Sequence, residues 1–406
     1  MTPLEALDVT RFFAGIKNQV IAQGIVGQEH VIDGLLAALA TGGHVLLESN
    51  PGLGKTTMAK SFARSLKLGA RFGRIQFTPD LLPSDITGTK MPTYENGVQV
   101  FRFEPGPIFH SILLADEINR ATPKTQAAML EAMAEQQVTI LGEQYRLTEA
   151  VTGDYGGRQI VVRTPFMVIA TQNPIDQEGT YELPEAQADR FQLKLLMDPP
   201  ATEDLVEIVR QGPARERMAG EQAAAQRPDR RIEDQKAFPN LAALHRVRTI
   251  LDGAELPPWV LRHAVYIVQA TNGTWGLEDM PLVPERYRKE LAQFVERYVA
   301  MPLGPRTAMA LAAVIKVHAL LNAEPDYPEQ WTQQLPAAMQ AMAPAVLRHR
   351  IKLRYDWEND ARAEFGSGAR LSREQLRDLL IGRLVALTAP HHENYQTFFV
   401  GRGKGR

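Results

Sequence analysis

At 406 residues the chain is too long for one ordinary hydrophobic core, so two or three domains are expected. A hydrophobic fraction of 44% against 23% charged residues excludes a disordered chain, and a net charge of −2 supplies no global field towards nucleic acid or anionic lipid. The absence of cysteine excludes disulfides and thiolate metal sites. No apolar run approaches the roughly 18 residues needed to cross a bilayer, and Met1–Lys17 lacks the pattern of a signal peptide, so the cytoplasm is the expected location.

Residues 1 to about 200 alternate between short apolar runs and helical patterns. His44–Leu47, Arg74–Phe77, Ile112–Ala115, Phe166–Ala170 and Phe191–Leu196 read as strands, several of them apolar almost throughout, as strands buried on both faces should be. Helical patterns over Lys55–Leu66 and Thr122–Glu135 lie between them, which predicts a parallel sheet covered by helices. A hairpin is expected within Val138–Val162, with turn signals at Leu141-Gly142-Glu143 and Asp154-Tyr155-Gly156-Gly157. At Asp198-Pro199-Pro200 the pattern changes. Apolar residues then recur at helical spacing in Glu203–Arg210, Leu241–Leu251, Pro258–Thr271, Pro284–Tyr298, Arg306–Leu321 and Arg373–Leu387, which predicts a helical second domain. Gly212–Ala237, poor in large apolar residues, reads as an exposed excursion, and the basic tail Gly401–Arg406 as a solvated end.

The strand ending at Glu48 runs into Ser49-Asn-Pro-Gly-Leu-Gly-Lys-Thr56, and Thr57 opens a helical pattern. A strand, a glycine-rich loop and Gly-Lys-Thr at a helix start form the P-loop arrangement. Gly52 and Gly54 let the backbone curl so that N–H groups point at phosphate oxygens, and the helix N-terminus adds partial positive charge. Lys55 offers a full charge to the β- and γ-phosphates, and Thr56 a hydroxyl to Mg²⁺. The strict pattern has glycine where this chain has Ser49, so on these residues alone a plain Gly/Pro turn with an exposed lysine stays open.

Ile112-Leu-Leu-Ala-Asp116-Glu117 would deliver two carboxylates at the C-terminal edge of a buried parallel strand, where open α/β sheets bind ligands. Asp116 suits Mg²⁺, directly or through water, and Glu117 suits polarising a water for attack on a γ-phosphate. A strand that merely ends in solvated acids is the alternative. Val168-Ile-Ala-Thr-Gln-Asn173-Pro174 is another apolar strand ending in polar residues; its amide could orient that water or simply form an Asn-Pro turn.

The connecting words carry a more specific signal. Ala115-Asp-Glu-Ile-Asn-Arg-Ala121, Pro123-Lys-Thr-Gln-Ala-Ala128 and Leu130-Glu-Ala-Met133 resemble the Walker B strand and following helix of the MoxR family of AAA+ ATPases. Ala170-Thr-Gln-Asn-Pro-Ile175, Gln177-Glu-Gly-Thr180 and Leu183-Pro-Glu-Ala-Gln187 resemble its sensor-1 region, and Asp189-Arg-Phe191 its arginine-finger segment. Val26-Gly-Gln-Glu29 and Gln76-Phe-Thr-Pro-Asp-Leu-Leu-Pro-Ser-Asp-Ile-Thr-Gly88 fit as well. The resemblance covers roughly residues 20 to 200 and is thinner beyond, where Leu303-Gly-Pro-Arg-Thr307 resembles a sensor-2 segment and Leu347-Arg-His-Arg-Ile351 a family tail motif.

The resemblance implies an AAA+ nucleotide-binding domain over residues 1–200 and an α-helical lid over 201–406. It implies ATP and Mg²⁺ as cofactors, with Asn50, Gly52, Leu53, Gly54, Lys55, Thr56 and Thr57 holding phosphate and Val26 and Gly27 lining the adenine. Thr56 and Asp116 would face the metal. Glu117 would be the base and Asn173 sensor 1. Arg190 would be a finger acting on the neighbouring subunit's ATP, and Arg306 sensor 2. Arg120 is a candidate second arginine acting across subunits. The family further implies a ring, most often a hexamer, which matures partner proteins or inserts their metal cofactors, the partners often carrying von Willebrand factor A-domains. Against the family pattern stand Ser49, an insertion at Glu149–Arg163 expected to project towards a pore or partner, and extra sequence at Gly212–Ala237 and Asn272–Pro284. A nucleotide-gated scaffold with little turnover, a nucleic-acid-associated motor and a P-loop kinase of a small metabolite are the rival readings.

Overall fold

A computed structural model describes the chain apart from residues 51, 69–71, 96–97, 174–180, 182, 211–229, 366–370, 393–394 and 401–406. The expectations placed on Gln177–Thr180, on residues 212–229 and on the basic tail lie outside the described residues. The chain divides into two compact units, one of Arg11–Phe191 and Leu195–Thr249, the other of Met1–Thr10, Gln192–Lys194 and the chain from Ile250 onward. This division differs from a cut at residue 200, because a helix over 202–210 and the helix that ends at Gly253 group largely with the first unit.

The first unit begins at Arg11 within α1 (Pro3–Ala22), a helix the sequence reading does not mark, and continues with α2 (Glu29–Thr41), whose residues Val31 to Ala40 are buried without a break. Strand β1 (Val45–Glu48) leads through the glycine-rich loop into α3 (Lys55–Ser65), followed by β2 (Phe72–Gln76) and the short α4 (Pro83–Thr87). A hairpin of β3 (Gly88–Glu95) and β4 (Val98–Pro105) precedes β5 (Ile112–Asp116) and α5 (Pro123–Glu135). Two further hairpins, β6 (Gln137–Ile140) with β7 (Glu143–Arg146) and β8 (Ala150–Tyr155) with β9 (Arg158–Arg163), come before β10 (Met167–Gln172). The short α6 (Glu185–Ala188), β11 (Leu193–Leu196), α7 (202–210) and α8 (Arg230–Gly253) follow.

The main sheet has the order β11-β1-β10-β5-β2, with β1, β10, β5 and β2 paired in parallel. β1, β5 and β10 are buried at every position, the physical meaning of their continuous apolar runs. At the sheet edge β2 alternates between buried and exposed residues, so Arg74 and Gln76 share a face. Under the sheet Leu46, Phe77, Leu113, Met129, Met133, Val168 and Phe191 belong to one buried cluster.

Two of these features amend the sequence reading. Val138–Val162 holds two hairpins rather than one, because Leu141 and Gly142, at φ 48° and 85°, close a tight turn of their own while Gly156 and Gly157 close the other. Gly212–Ala237 is not an excursion throughout, since α8 starts at Arg230 and buries Ala237 and Phe238. The β8–β9 hairpin is seated on that helix: a methyl group built on Gly153 would lie 2.7 Å from the Phe238 ring. α8 is tied in turn to α2 and to the end of α3, where Arg248 donates to the Leu39 carbonyl at 2.6 Å and Asn240 to the Lys67 carbonyl at 3.2 Å.

The second unit is helical, as the sequence predicts, with α9 (Pro258–Ala270), α10 (Thr274–Glu278), α11 (Glu285–Tyr298), α12 (Pro305–Leu321), α13 (Leu335–Leu347), α14 (Trp357–Phe365), α15 (Arg373–Thr388) and α16 (Tyr395–Val400). A small antiparallel pair, β12 (Val299–Met301) with β13 (Lys352–Leu353), interrupts it. The Leu347–Ile351 segment acts as a structural clamp here. Arg348 grips Asp378 with two bonds of 2.7 and 2.6 Å and reaches the Lys194 carbonyl at 3.1 Å, while Arg350 donates to the Gln192 carbonyl at 3.0 Å.

Gly153→Ala tests the seat of the β8–β9 hairpin. The added methyl meets a ring held in the core, so the expected result is a loss of about 1–3 kcal/mol in the opening free energy of β8–β9, read as faster amide hydrogen exchange over residues 150–163.

Candidate functional site

The parallel register brings three strand ends together. β10 lies between β1 and β5, with Glu48 opposite Gln172 and Ala115 opposite Ala170. The residues just past these strands, Ser49, Asp116 to Glu117 and Asn173, therefore emerge side by side at the C-terminal edge.

The loop after β1 curls at Gly52 and Gly54, at φ 86° and 82°, and hands the chain to α3 at Lys55. Nothing lies within 4 Å of a methyl built on Gly52, so backbone conformation rather than space calls for glycine there. Ser49, where the strict motif has glycine, keeps φ out of the positive region; its hydroxyl donates to the Asn50 carbonyl and its own carbonyl accepts from Lys55. Asn50, Gly52, Gly54 and Thr57 are exposed and Leu53 is half-buried.

Lys55 is 9% exposed, and its ammonium donates to Asn173 Oδ1 at 2.6 Å, to the Ser49 carbonyl at 3.0 Å and to the Gln172 carbonyl at 3.3 Å. Burial holds its pKa below the usual lysine value, against the opposing pull of Asp116, Glu117 and Glu48. Thr56 donates its hydroxyl to Asp116 Oδ2 at 3.1 Å. Thr171 donates to Asp116 Oδ1 at 2.6 Å and accepts the Glu117 N–H at 2.9 Å. Burial pushes the Asp116 carboxyl up, but the bonds from Thr171, Arg74 and Thr56 and the charge of Arg74 outweigh it, so the group sits below the ordinary aspartate value.

Glu117 occupies the left-handed region at φ 57°, a conformation that costs an ordinary residue about 1 kcal/mol or more and that clusters at functional sites. Its carboxylate takes Asn173 Nδ2 at 3.2 Å on one oxygen, and Gln76 Nε2 at 3.2 Å and Arg120 Nε at 3.0 Å on the other. Asn173 itself is 3% exposed, and its carbonyl accepts from Asn119 at 3.4 Å. Gln172 donates to Glu48 beside this cluster.

Lys55, Thr56, Asp116, Glu117 and Asn173 thus form one connected network. Arg190 is outside it, in the turn after α6. Met197 N–H meets the Glu48 carbonyl where β11 and β1 end, so the four residues of β11, about 13 Å of strand, separate Arg190 from the edge that carries the loop. Val26 and Gly27 lie half-buried between α1 and α2; Gly27 has φ 70°, and a methyl on it would strike the Asp204 carboxylate of α7. Arg306 belongs to the second unit, exposed in the first turn of α12. The sequence reading missed Arg74, Gln76 and Thr171. The available signal was polarity out of place: two polar residues alternating in β2, and one hydroxyl in the otherwise apolar part of β10.

Chemically, the edge offers a helix N-terminus, an ammonium and hydroxyls for an oxyanion, and hard oxygens for a small cation. Thr56 and Asp116 already share a hydrogen bond, and Mg²⁺ is commonly held by one or two protein oxygens with substrate phosphates supplying others. Among the described residues no group of three or more His, Cys, Asp or Glu could hold a metal ion.

Comparison with known proteins matches residues 44–193 to the ATPase family associated with various cellular activities (AAA). The chain is 36% identical over 334 residues to Chaperone MoxR1 of Mycobacterium tuberculosis, covering 82% of this chain and 74% of that protein. It is likewise 36% identical over 331 residues to the uncharacterised Bacillus subtilis protein YeaC, covering 81% and 83%. A solved structure of a candidate ATPase from Cytophaga hutchinsonii superposes with a TM-score of 0.63 at 29% identity, over 93% of this chain and 96% of that one.

Thr171→Val keeps the side-chain shape but leaves Asp116 Oδ1 and the Glu117 N–H without this partner, for an expected loss of roughly 1–3 kcal/mol in urea unfolding at neutral pH. Because the Asp116 pKa is depressed by folding, its bonds stabilise the protein above the ordinary value of 3.8 and are lost as pH falls through the lower folded value. The gap between variant and parent should therefore narrow below pH 3.8.

Proposed function

Because this chain belongs to the MoxR family of AAA+ ATPases, we propose that its ATPase activity is spent on remodelling or maturing a partner protein, including insertion of a metal cofactor. The observation that carries the site assignment is the bridge made by Asn173, which accepts from Lys55 and donates to Glu117 across 118 and 56 residues of sequence. Residues 1–200 carry the nucleotide-binding region and 201–406 the lid sequence, of which the part up to Thr249 groups with the first unit.

In this reading the triphosphate lies along the loop from Asn50 to Thr57, with Gly52, Leu53 and Gly54 turning backbone N–H groups towards it, and with Val26 and Gly27 beside the adenine. Lys55 trades its protein acceptors for β- and γ-phosphate oxygens, which releases the Asn173 amide to hold the attacking water or the γ-phosphate. Thr56 and Asp116 hold Mg²⁺, whose chemistry is to neutralise charge on the β- and γ-oxygens. Glu117 accepts the water proton as oxygen attacks phosphorus and the bond to ADP breaks. Its Oε1 carries one donor, from Asn173, and keeps a second lone pair for that proton.

The placement of Arg190 supports a role in trans. An arginine some 13 Å of strand from its own phosphate loop is poorly placed for its own γ-phosphate and well placed to serve a neighbour's. Arg306 acts as sensor 2 on the lid. The assembly is a homo-oligomeric ring, most simply a hexamer. It works in the cytoplasm on a partner carrying a von Willebrand factor A-domain. The absence of any described helix long and apolar enough to cross a membrane fits that location, and the near-neutral net charge weighs against a nucleic-acid substrate.

Glu117→Gln should keep nucleotide binding and lower hydrolysis by at least about a hundredfold; undiminished turnover would remove Glu117 from the role of base. Arg190→Ala should lower turnover by about a thousandfold, and mixing it with Lys55→Ala subunits should restore part of the rate. In such a mixture an intact loop meets an intact finger at some junctions. No recovery on mixing would place the finger elsewhere.

A further inference from the structure

We infer that Arg74 is a built-in counter-ion for Asp116 that competes with Mg²⁺ and so sets how much metal the nucleotide site requires. The inference rests on the nucleotide reading above. It begins with which oxygen of Asp116 is gripped. Oδ1 is taken by Thr171 at 2.6 Å, inside the sheet. Oδ2 accepts the Thr56 hydroxyl at 3.1 Å, which marks it as the oxygen on the phosphate-loop side. The Arg74 guanidinium donates to that same Oδ2 twice, at 2.7 Å and 3.3 Å. A dication bound at Thr56 and Asp116 and a guanidinium on one shared oxygen repel each other at contact distance.

The surroundings make Arg74 a displaceable partner. It stands on β2, the edge strand, with 43% of its side chain exposed, so it can leave Oδ2 for solvent. It also donates to Gln76 Oε1 at 2.8 Å, which keeps it close after release, and Gln76 in turn donates to Glu117. The charges of the network balance as it stands, with Lys55, Arg74 and Arg120 facing Glu48, Asp116 and Glu117. Arg74 thus lets Asp116 stay ionised at 5% exposure, and its partly solvated bond is weak enough for a metal to break. Arg74 acts through Asp116 and is a positioning residue.

The test is a Mg²⁺ titration of the full chain with the non-hydrolysable ATP analogue AMP-PNP, read by calorimetry and by thermal shift. Arg74→Gln is expected to lower the half-saturating Mg²⁺ concentration on the order of fivefold, the scale of a partly exposed ion pair. Arg74→Lys keeps the charge but not the two-point grip, so it should fall between variant and parent; it also carries the test should Arg74→Gln not fold. A merely structural Arg74 would lower the melting temperature in EDTA and leave the half-saturation point where it was. Unchanged or higher Mg²⁺ half-saturation in both variants would overturn the inference while AMP-PNP binding left the nucleotide reading intact. A parent protein that binds no AMP-PNP at any Mg²⁺ concentration would overturn both.

Discussion

One side-chain amide holds the site together. Asn173 receives a hydrogen bond from a buried ammonium and gives one to a carboxylate, so a single planar group joins the loop after β1 to the acid after β5. Only an amide offers an acceptor and a donor at that spacing without adding charge. An aspartate there would set a second carboxylate against Glu117, and a leucine would strand both partners in a nearly dry pocket. The position of Asn173 is fixed by the parallel ladder, in which β10 lies between β1 and β5 and ends level with both.

That arrangement is costly in isolation. Lys55 and Asp116 are almost wholly removed from water, and Glu117 sits in a backbone conformation that favours glycine. Each cost is met locally by hydrogen bonds and by opposite charge, so the network tolerates its own burial while keeping every charged group ready to change partners. Burial lowers the lysine pKa against the pull of Asp116, Glu117 and Glu48, while, against its own burial, the bonds from Thr171, Arg74 and Thr56 hold the Asp116 carboxyl below its ordinary value.

The parts of this fold legible in the sequence are those where one local signal dominates. β1, β5 and β10 announce themselves because burial on both faces demands unbroken apolar runs, and the loop between β1 and α3 because only glycine curls so tightly before a lysine. In the second unit α9, α11, α12 and α15 follow from spacing, while α10, α13, α14 and α16 do not stand out in it. Less legible were elements whose reason lies far away in the chain. The β3–β4 hairpin shows no alternating burial, and its solvent-exposed Tyr94 and Phe101 give no periodic clue. The turn signals at Leu141-Gly142-Glu143 and Asp154-Tyr155-Gly156-Gly157 were legible, but not that each closes a hairpin of its own. Arg74 and Thr171 gain meaning only from Asp116, 42 and 55 residues away. The roles proposed for Arg190 and Arg306 rest on the family resemblance.

The seating of Gly153 on Phe238 couples two distant parts of the chain. The hairpin offers a notch because its strand carries no side chain there, and α8 fills it with an aromatic ring that is 6% exposed. A change on either side is felt on the other: a larger residue at 153 presses on the ring, and a smaller one at 238 leaves a gap beneath the hairpin. Paired substitutions at these two positions would therefore not cost the sum of the single ones.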